Sequence, residues 1–351
     1  MSDVILASFE LGSSFWPTFD PFLFCVHHED HYPAGNAEMG PDAPLAGRRM
    51  GMDFEGLGGW RMYHGRVVPG FPQHPHRGFE TVSIVRRGVM DHSDSLGASA
   101  RFGEGDVQWM TAGRGIVHAE MFPLRRRDAD NPAELFQLWL NLPAVSKMVE
   151  PHFSMLWAPT IPEVQVGGSE RGGACVRLIA GAFAGQRAPK PPPHSWASSA
   201  TSEVAIWTIR IAAGAHLTLP PASAGLSRTL YVFRGEGLRL GEHELPARCG
   251  LRLDPEAAIS LVGGDVEVEI LLLQGRPIGE PVVRHGPFVM NTAAEIQQAM
   301  RDYRRTGFGG WPWASEGPVH AREAGRFAVH ADGRRELPGQ AERAESTETS
   351  A

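Results

Sequence analysis

The stretch Phe71-Pro-Gln-His74-Pro-His76-Arg-Gly-Phe-Glu80-Thr-Val82 places two candidate metal ligands one residue apart. So does its echo, Asp106-Val-Gln-Trp-Met-Thr-Ala-Gly-Arg-Gly-Ile-Val-His118-Ala-Glu120-Met121. Side chains alternate across a β-strand, so residues i and i+2 share a face. His74 and His76 can therefore aim at one point, as can His118 and Glu120. Pro75 lacks a backbone donor, which suits a strand end or rim better than a central ladder. Gly113 and Gly115 let the chain turn sharply before His118.

The surrounding sequence reads as short strands divided by glycine turns. Trp60–Gly65, Glu80–Gly88, Val89–Asp94, Ala100–Phe102, Asp106–Met110 and Leu135–Asn141 all have strand length. Such regular spacing predicts an all-β sandwich or barrel. Asp20–Val26 reads as a further strand, and residues 33–53, punctuated by Pro and Gly, as a long loop. His27, His28 and His31 precede it and are expected on a surface loop.

Residues 203–275 repeat this pattern, and Thr229-Leu-Tyr-Val-Phe-Arg-Gly235 echoes Thr81-Val-Ser-Ile-Val-Arg-Arg-Gly88. Matching the glycines puts Pro221, Ser223 and Ser227 where the first half has His74, His76 and Glu80. Matching the threonines puts Ala222, Ala224 and Arg228 there. Neither register supplies ligands, so the second half is read as a duplicated β unit without a metal site. Pro189-Lys-Pro-Pro-Pro193 marks a connector. A helix is predicted over Ala293–Arg305, with Thr292 and Glu295 as a capping box and Gly307 as its C-terminal stop. Residues 340–351 have almost no large apolar side chains and are expected to be disordered.

Composition narrows the function. The 351 residues include three scattered cysteines and carry a net charge of −7. A disulfide framework, a structural zinc and a basic nucleic-acid surface are all disfavoured. No secretory signal and no apolar run of membrane-spanning length is evident, so a cytoplasmic protein is expected. Imidazole and carboxylate without thiolate suit Fe(II) above all, with Mn, Ni, Cu and Zn as other candidates. Parity alone leaves the carboxylate open between Glu120 and Glu80, because Gly78 can break the strand between His76 and Glu80. Ser93, Asp94 and Ser95 beside His92 read as a turn rather than a catalytic triad, and Arg125-Arg-Arg127 as a solvated loop.

The motifs His74–Val82, Asp106–Met121 and Gly286-Pro-Phe-Val-Met-Asn-Thr292 resemble those of the pirin family, over roughly Asp20–Phe308. The resemblance implies a bicupin: two jelly-roll-type β-barrels in one chain, with a short C-terminal helix and metal in the N-terminal barrel only. The implied division is a metal-binding barrel with an N-terminal extension over 1–145, a connector over 146–200, a metal-free barrel ending in the helix over 201–312, and an extended, partly disordered tail over 313–351. The implied iron ligands are His74, His76, His118 and Glu120, with Glu120 also the catalytic base and Glu80 behind the ligands. The loop at 33–65 and the tail are longer than in shorter members. Some pirins resemble quercetinases, which implies a flavonol-like substrate and dioxygen. Others act as iron-dependent partners of transcription factors or metabolic enzymes, so a regulatory protein partner is the alternative. Neither reading implies direct contact with nucleic acid or membrane.

Overall fold

The computed structural model describes residues 4–13, 15–168 and 172–339, whose regular structure is mostly β-strand with a single α-helix, Ala293–Thr306. Among them no helix is long and apolar enough to cross a membrane. The described residues form two compact units, one from within 27–137, 144–159 and 280–339, the other from within 4–26, 138–143 and 160–279. We call the first the ligand-bearing unit and the second the apolar unit.

The ligand-bearing unit is built on a six-stranded sheet. Its strand order is Arg335–Glu336, Phe327–Val329, Ser99–Gly103, Val89–Asp94, Ile116–Met121, Gly70–His76. Pro75 thus lies on an edge strand, where its missing donor costs nothing to the ladder. A five-stranded sheet has the order His152–Leu156, Val107–Thr111, Phe79–Arg87, Asn131–Asn141, Phe22–Tyr32. The division between units cuts the last two strands after Gln137 and after Val26. The unit's core includes Met90, Phe102, Met110, Ile116, Phe122, Leu135, Phe153 and Trp157, all buried. The helix has the predicted capping box and ends at Gly307 with φ +54°. It buries Ile296 and Ala299 against Val117, Phe288, Met290 and Phe308.

The apolar unit has a seven-stranded sheet in the order Ile5–Glu10, Cys249–Leu253, Ser227–Arg234, Val268–Gly275, Ala205–Ile211, Ala174–Ala180, Glu163–Val166. A four-stranded sheet of His216–Leu219, Ile259–Val262, Arg239–Leu240 and His243–Glu244 accompanies it. The core between them is aliphatic, with Val176, Leu178, Ile209, Leu217, Leu230, Leu251, Ile259, Ile270 and Leu272 almost fully buried. All three cysteines are free and buried.

Several expectations change. The predicted boundaries follow sequence order, whereas the contacts do not. Ile5–Glu10 pairs with Cys249–Leu253, which ties the N-terminus to the apolar unit. The helix belongs to the ligand-bearing unit, where Arg77 donates to Asp302 at 2.9 Å. Residues 313–339 are built into that unit rather than trailing from it. Phe327–Val329 adds to Ser99–Gly103, and buried Arg101 donates to the carbonyls of His320, Ala321 and Ala324. The expected disorder of 340–351 lies outside the described residues. Trp60–Gly65 is not a strand: Tyr63 has φ +56° and makes only isolated bridges. The strand from Phe22 instead runs on to Tyr32. His27 and His28 therefore sit on a strand and not on a surface loop. His27 contacts Glu134 at 3.1 Å, and burial lowers the His28 pKa to about 3. His31 alone of the three is exposed.

Candidate metal centre

The strands Gly70–His76 and Ile116–Met121 pair antiparallel, with His74 opposite His118 and His76 opposite Ile116. Phe71 lies opposite Glu120, so three steps on one strand match two on the other. This extra residue is a β-bulge, a device that re-aims side chains beside sites. Ring centroids lie 4.8 Å apart for His74 and His76, 4.4 Å for His74 and His118, and 4.9 Å for His76 and His118. One ring nitrogen from each of the three falls within 4.8 Å of the other two.

The chemistry of these rings fits a metal ion. His74 Nδ1 is 2.9 Å from the Pro72 carbonyl, which can only accept, so Nδ1 carries the proton and Nε2 presents a lone pair. His118 is fully buried, yet neither of its ring nitrogens has a hydrogen-bond partner. A buried polar atom without a partner needs an explanation, and a bound cation supplies one. Burial lowers the pKa of His74 and depresses those of His76 and His118 strongly. Neutral imidazole is the ligating form.

Glu120 stands beside this group. Its Oε2 is 3.8 Å from His118 Nε2, but it is not part of the mutually close set. Gln137 Nε2 donates to both carboxylate oxygens, at 3.2 and 3.1 Å. The Ser83 hydroxyl lies 3.1 Å from Glu120 Oε1 and 2.5 Å from Gln137 Oε1, and its single hydrogen is shared between them. Glu80 is placed differently. Gly78, at φ +85°, ends one strand before the next begins, so parity does not carry from His74 to Glu80. Glu80 lies in the five-stranded sheet and accepts a hydrogen bond from Thr111 at 2.6 Å.

Three neighbours were not foreseen. Ser83 and Gln137 come from strands of the other sheet, Phe79–Arg87 and Asn131–Asn141, and nothing local marks them. His92 was legible: it and Asp94 are i and i+2 on Val89–Asp94, so parity puts both on one face. His92 lies opposite Glu120 in the ladder, and its ring centroid is 5.5 Å from that of His118. Its Nε2 is 3.1 Å from Asp94 Oδ2. Ser93 and Asp94 end this buried strand, and the expected turn begins at Ser95, with Asp94 Oδ1 accepting from the Leu96 and Ala98 backbones at 2.9 and 3.1 Å; no triad forms. The glycines before His118 are sterically required. Gly115 has φ +135°, and a Cβ there would meet the Phe308 ring at 2.6 Å. Arg125 is half-buried, whereas Arg126 and Arg127 are exposed as expected.

Comparison with known proteins gives the family. The pirin family model matches residues 14–140, and that of the pirin C-terminal cupin domain matches residues 206–309. The chain belongs to the pirin family. It is therefore a bicupin, with one cupin domain in each half. Human pirin is 37% identical over 245 residues, covering 67% of this chain and 76% of that protein. A Pseudomonas aeruginosa protein named "Putative quercetin 2,3-dioxygenase" is 38% identical over 239 residues, covering 68% of this chain and 79% of its own. The crystal structure of quercetin 2,3-dioxygenase from Acinetobacter baumannii superposes with a TM-score of 0.67 at 26% identity, covering 88% of this chain and 98% of that one.

Proposed function

We propose that this pirin is an iron-dependent dioxygenase that opens the ring of a flavonol such as quercetin, with His74, His76, His118 and Glu120 holding the metal. The observation that carries the proposal is the trio of close imidazoles, His76 and His118 buried and His74 partly so, with both His118 nitrogens left without hydrogen bonds. The likeness to relatives and structures named for quercetin cleavage supports the substrate class. A mixed imidazole and carboxylate set suits Fe(II).

Bound iron would supply a Lewis acid and a redox partner for dioxygen. The protein's own groups do the rest. The hydrogen bond from Nδ1 to Pro72 fixes the tautomer and the aim of His74. Glu120 is the group placed to take the flavonol hydroxyl proton, since its carboxylate faces His118 at 3.8 Å. Gln137 and Ser83 hold that carboxylate in the orientation from which it can do so. Burial of His76, His118 and Glu120 keeps bulk water away from the reacting atoms.

The test is purified protein reconstituted with Fe(II), then given quercetin and oxygen while flavonol absorbance is followed. Metal-dependent loss that His118→Ala abolishes is expected. If absorbance is stable, or if His118→Ala matches wild type, the enzymatic reading fails. An iron-dependent binding role for the same site would then stand in its place.

A further inference from the structure

The long segment between Tyr32 and Gly70 is a braced structure. Arg48 lies over the Trp60 ring at 3.3 Å and donates to Asp53 at 2.7 Å. Asp53 in turn accepts from the Met62 backbone at 3.0 Å, and its own backbone pairs with that of Tyr63. The side chains of Arg48 and Asp53 are each only 3% exposed. A desolvated ion pair with satisfied donors holds a fixed conformation.

This brace delivers two side chains that the metal centre does not use. Phe54 follows Asp53 and remains 43% exposed, with its ring 5.1 Å from that of His64 and 6.4 Å from that of Phe71. His64 is exposed, and its Nδ1 lies 2.7 Å from the Gly51 carbonyl. A carbonyl only accepts, so in the neutral ring Nδ1 holds the proton and Nε2 is an acceptor. No hydrogen bond reaches that Nε2 from the described residues. Phe71 links the pair to the metal centre. Its ring is 5.8 Å from His64 and 6.4 Å from His74, and it lies opposite Glu120 on the ligand face of the ladder.

We propose that Phe54 and His64 form a subsite beside the metal centre that orients a planar polyphenol, the rings of Phe54 and Phe71 packing on it and His64 Nε2 accepting one of its hydroxyls. This rests on the flavonol reading above and adds the residues that select within that class. Aromatic walls reward a flat ring, and an acceptor in a fixed tautomer rewards a hydroxyl donor. A flat ring without hydroxyls gains only the first.

The experiment is anaerobic titration of the metal-loaded full chain with quercetin and with unsubstituted flavone, read by quenching of tryptophan fluorescence, with aerobic turnover in parallel. Phe54→Ala is expected to weaken both ligands about tenfold. His64→Phe, which keeps a ring and removes the acceptor, is expected to weaken quercetin about fivefold to tenfold and flavone by less than twofold. Both should raise KM more than they lower kcat, with metal content unchanged, and Phe54→Leu guards against a folding artefact. Binding equal to wild type in Phe54→Ala and His64→Phe, equal losses for both ligands in His64→Phe, or no binding by wild type would overturn the proposal. Variant-sensitive binding without turnover would overturn the dioxygenase reading and leave the subsite standing. Turnover indifferent to both substitutions would do the reverse.

Discussion

Gln137→Leu should weaken metal binding without disturbing the fold. Gln137 Nε2 reaches both oxygens of the Glu120 carboxylate, at 3.2 and 3.1 Å, and leucine has similar volume with no donor. A hydrogen bond to a buried charged group is worth ~1.5–3 kcal/mol. Loss of a group that orients a metal ligand typically costs about 10-fold to 100-fold in affinity, or ~1.4–2.7 kcal/mol. Ser83 still offers its hydroxyl to Glu120 in the variant, so the lower half of that range, about 10-fold to 30-fold, is expected. Ser83→Ala should cost less than about tenfold, because its one hydrogen is already shared with Gln137. The double variant should fall short of the product of the two, since all three groups form one network. Competition for Fe(II) against a chromophoric chelator under argon measures these affinities, and a circular dichroism melt reports the fold. An affinity for Gln137→Leu within twofold of wild type, with the melt unchanged, would refute the reasoning. Tighter binding would show that the amide holds Glu120 away from the metal rather than presenting it.

Arg101→Met would strip the fully buried Asp91 carboxylate of its two guanidinium donors, at 2.6 and 2.7 Å, and leave it only the His320 backbone N–H at 2.8 Å. Breaking a buried pair in this way costs ~3–5 kcal/mol, and limited proteolysis should then cut within residues 313–339; an unchanged digest would count against the anchoring role. Gly115→Ala sets a Cβ 2.6 Å from the Phe308 ring at a positive φ, and should lower stability by ~1–3 kcal/mol or more. Gly12→Ala, which meets nothing within 4 Å, is its control in the same thermal melt. Burial lowers the Lys147 pKa from 10.5 to about 8. Between those values the folded chain has lost the proton that the unfolded chain keeps, so this residue's share of stability rises with pH from 8 to 10.5 and its penalty is complete below 8. Urea denaturation at both ends of that window should show a rise in wild type that is diminished in Lys147→Met.

How much of this was legible depends on which interactions each feature uses. Strand parity brought His74, His76 and His118 together, and the edge position of their strand was written in Pro75. The helix was legible because its cap and apolar stripe are local. Glu120 differs: the same parity gave its face, but Gln137 and Ser83, which hold it, sit on other strands and carry no local mark. The strand Phe22–Tyr32 was cut short because His27-His-Glu-Asp-His31 is polar. Strand formation there is decided by neighbours across the sheet rather than by propensity. The tail strand Phe327–Val329 is too short for any period and exists because Ser99–Gly103 offers an edge to pair with. Trp60–Gly65 erred in the other direction, since apolar residues with strand spacing are turned at Tyr63 by the braced segment.

The contrast between the units explains why only one of them is a candidate centre. In the apolar unit, the positions matching His74 and His76 are Pro221 and Ser223, or Ala222 and Ala224, and all four fall between the strands His216–Leu219 and Ser227–Arg234. No strand there can aim an i, i+2 pair inward, and aliphatic side chains fill the core. The ligand-bearing unit instead buries Glu80, Ser83, His92, Asp94, His118 and Glu120 at 3% exposure or less. Burying polar groups is unfavourable unless each finds a partner. Thr111 and Gln137 satisfy Glu80 and Glu120, and Asp94 satisfies one nitrogen of His92. His118 remains, with both nitrogens unsatisfied in a packed interior, where a purely structural role would favour an aliphatic residue. That imbalance, set against a sister unit of the same architecture whose core is aliphatic, makes the His118 strand the place where function outweighed packing.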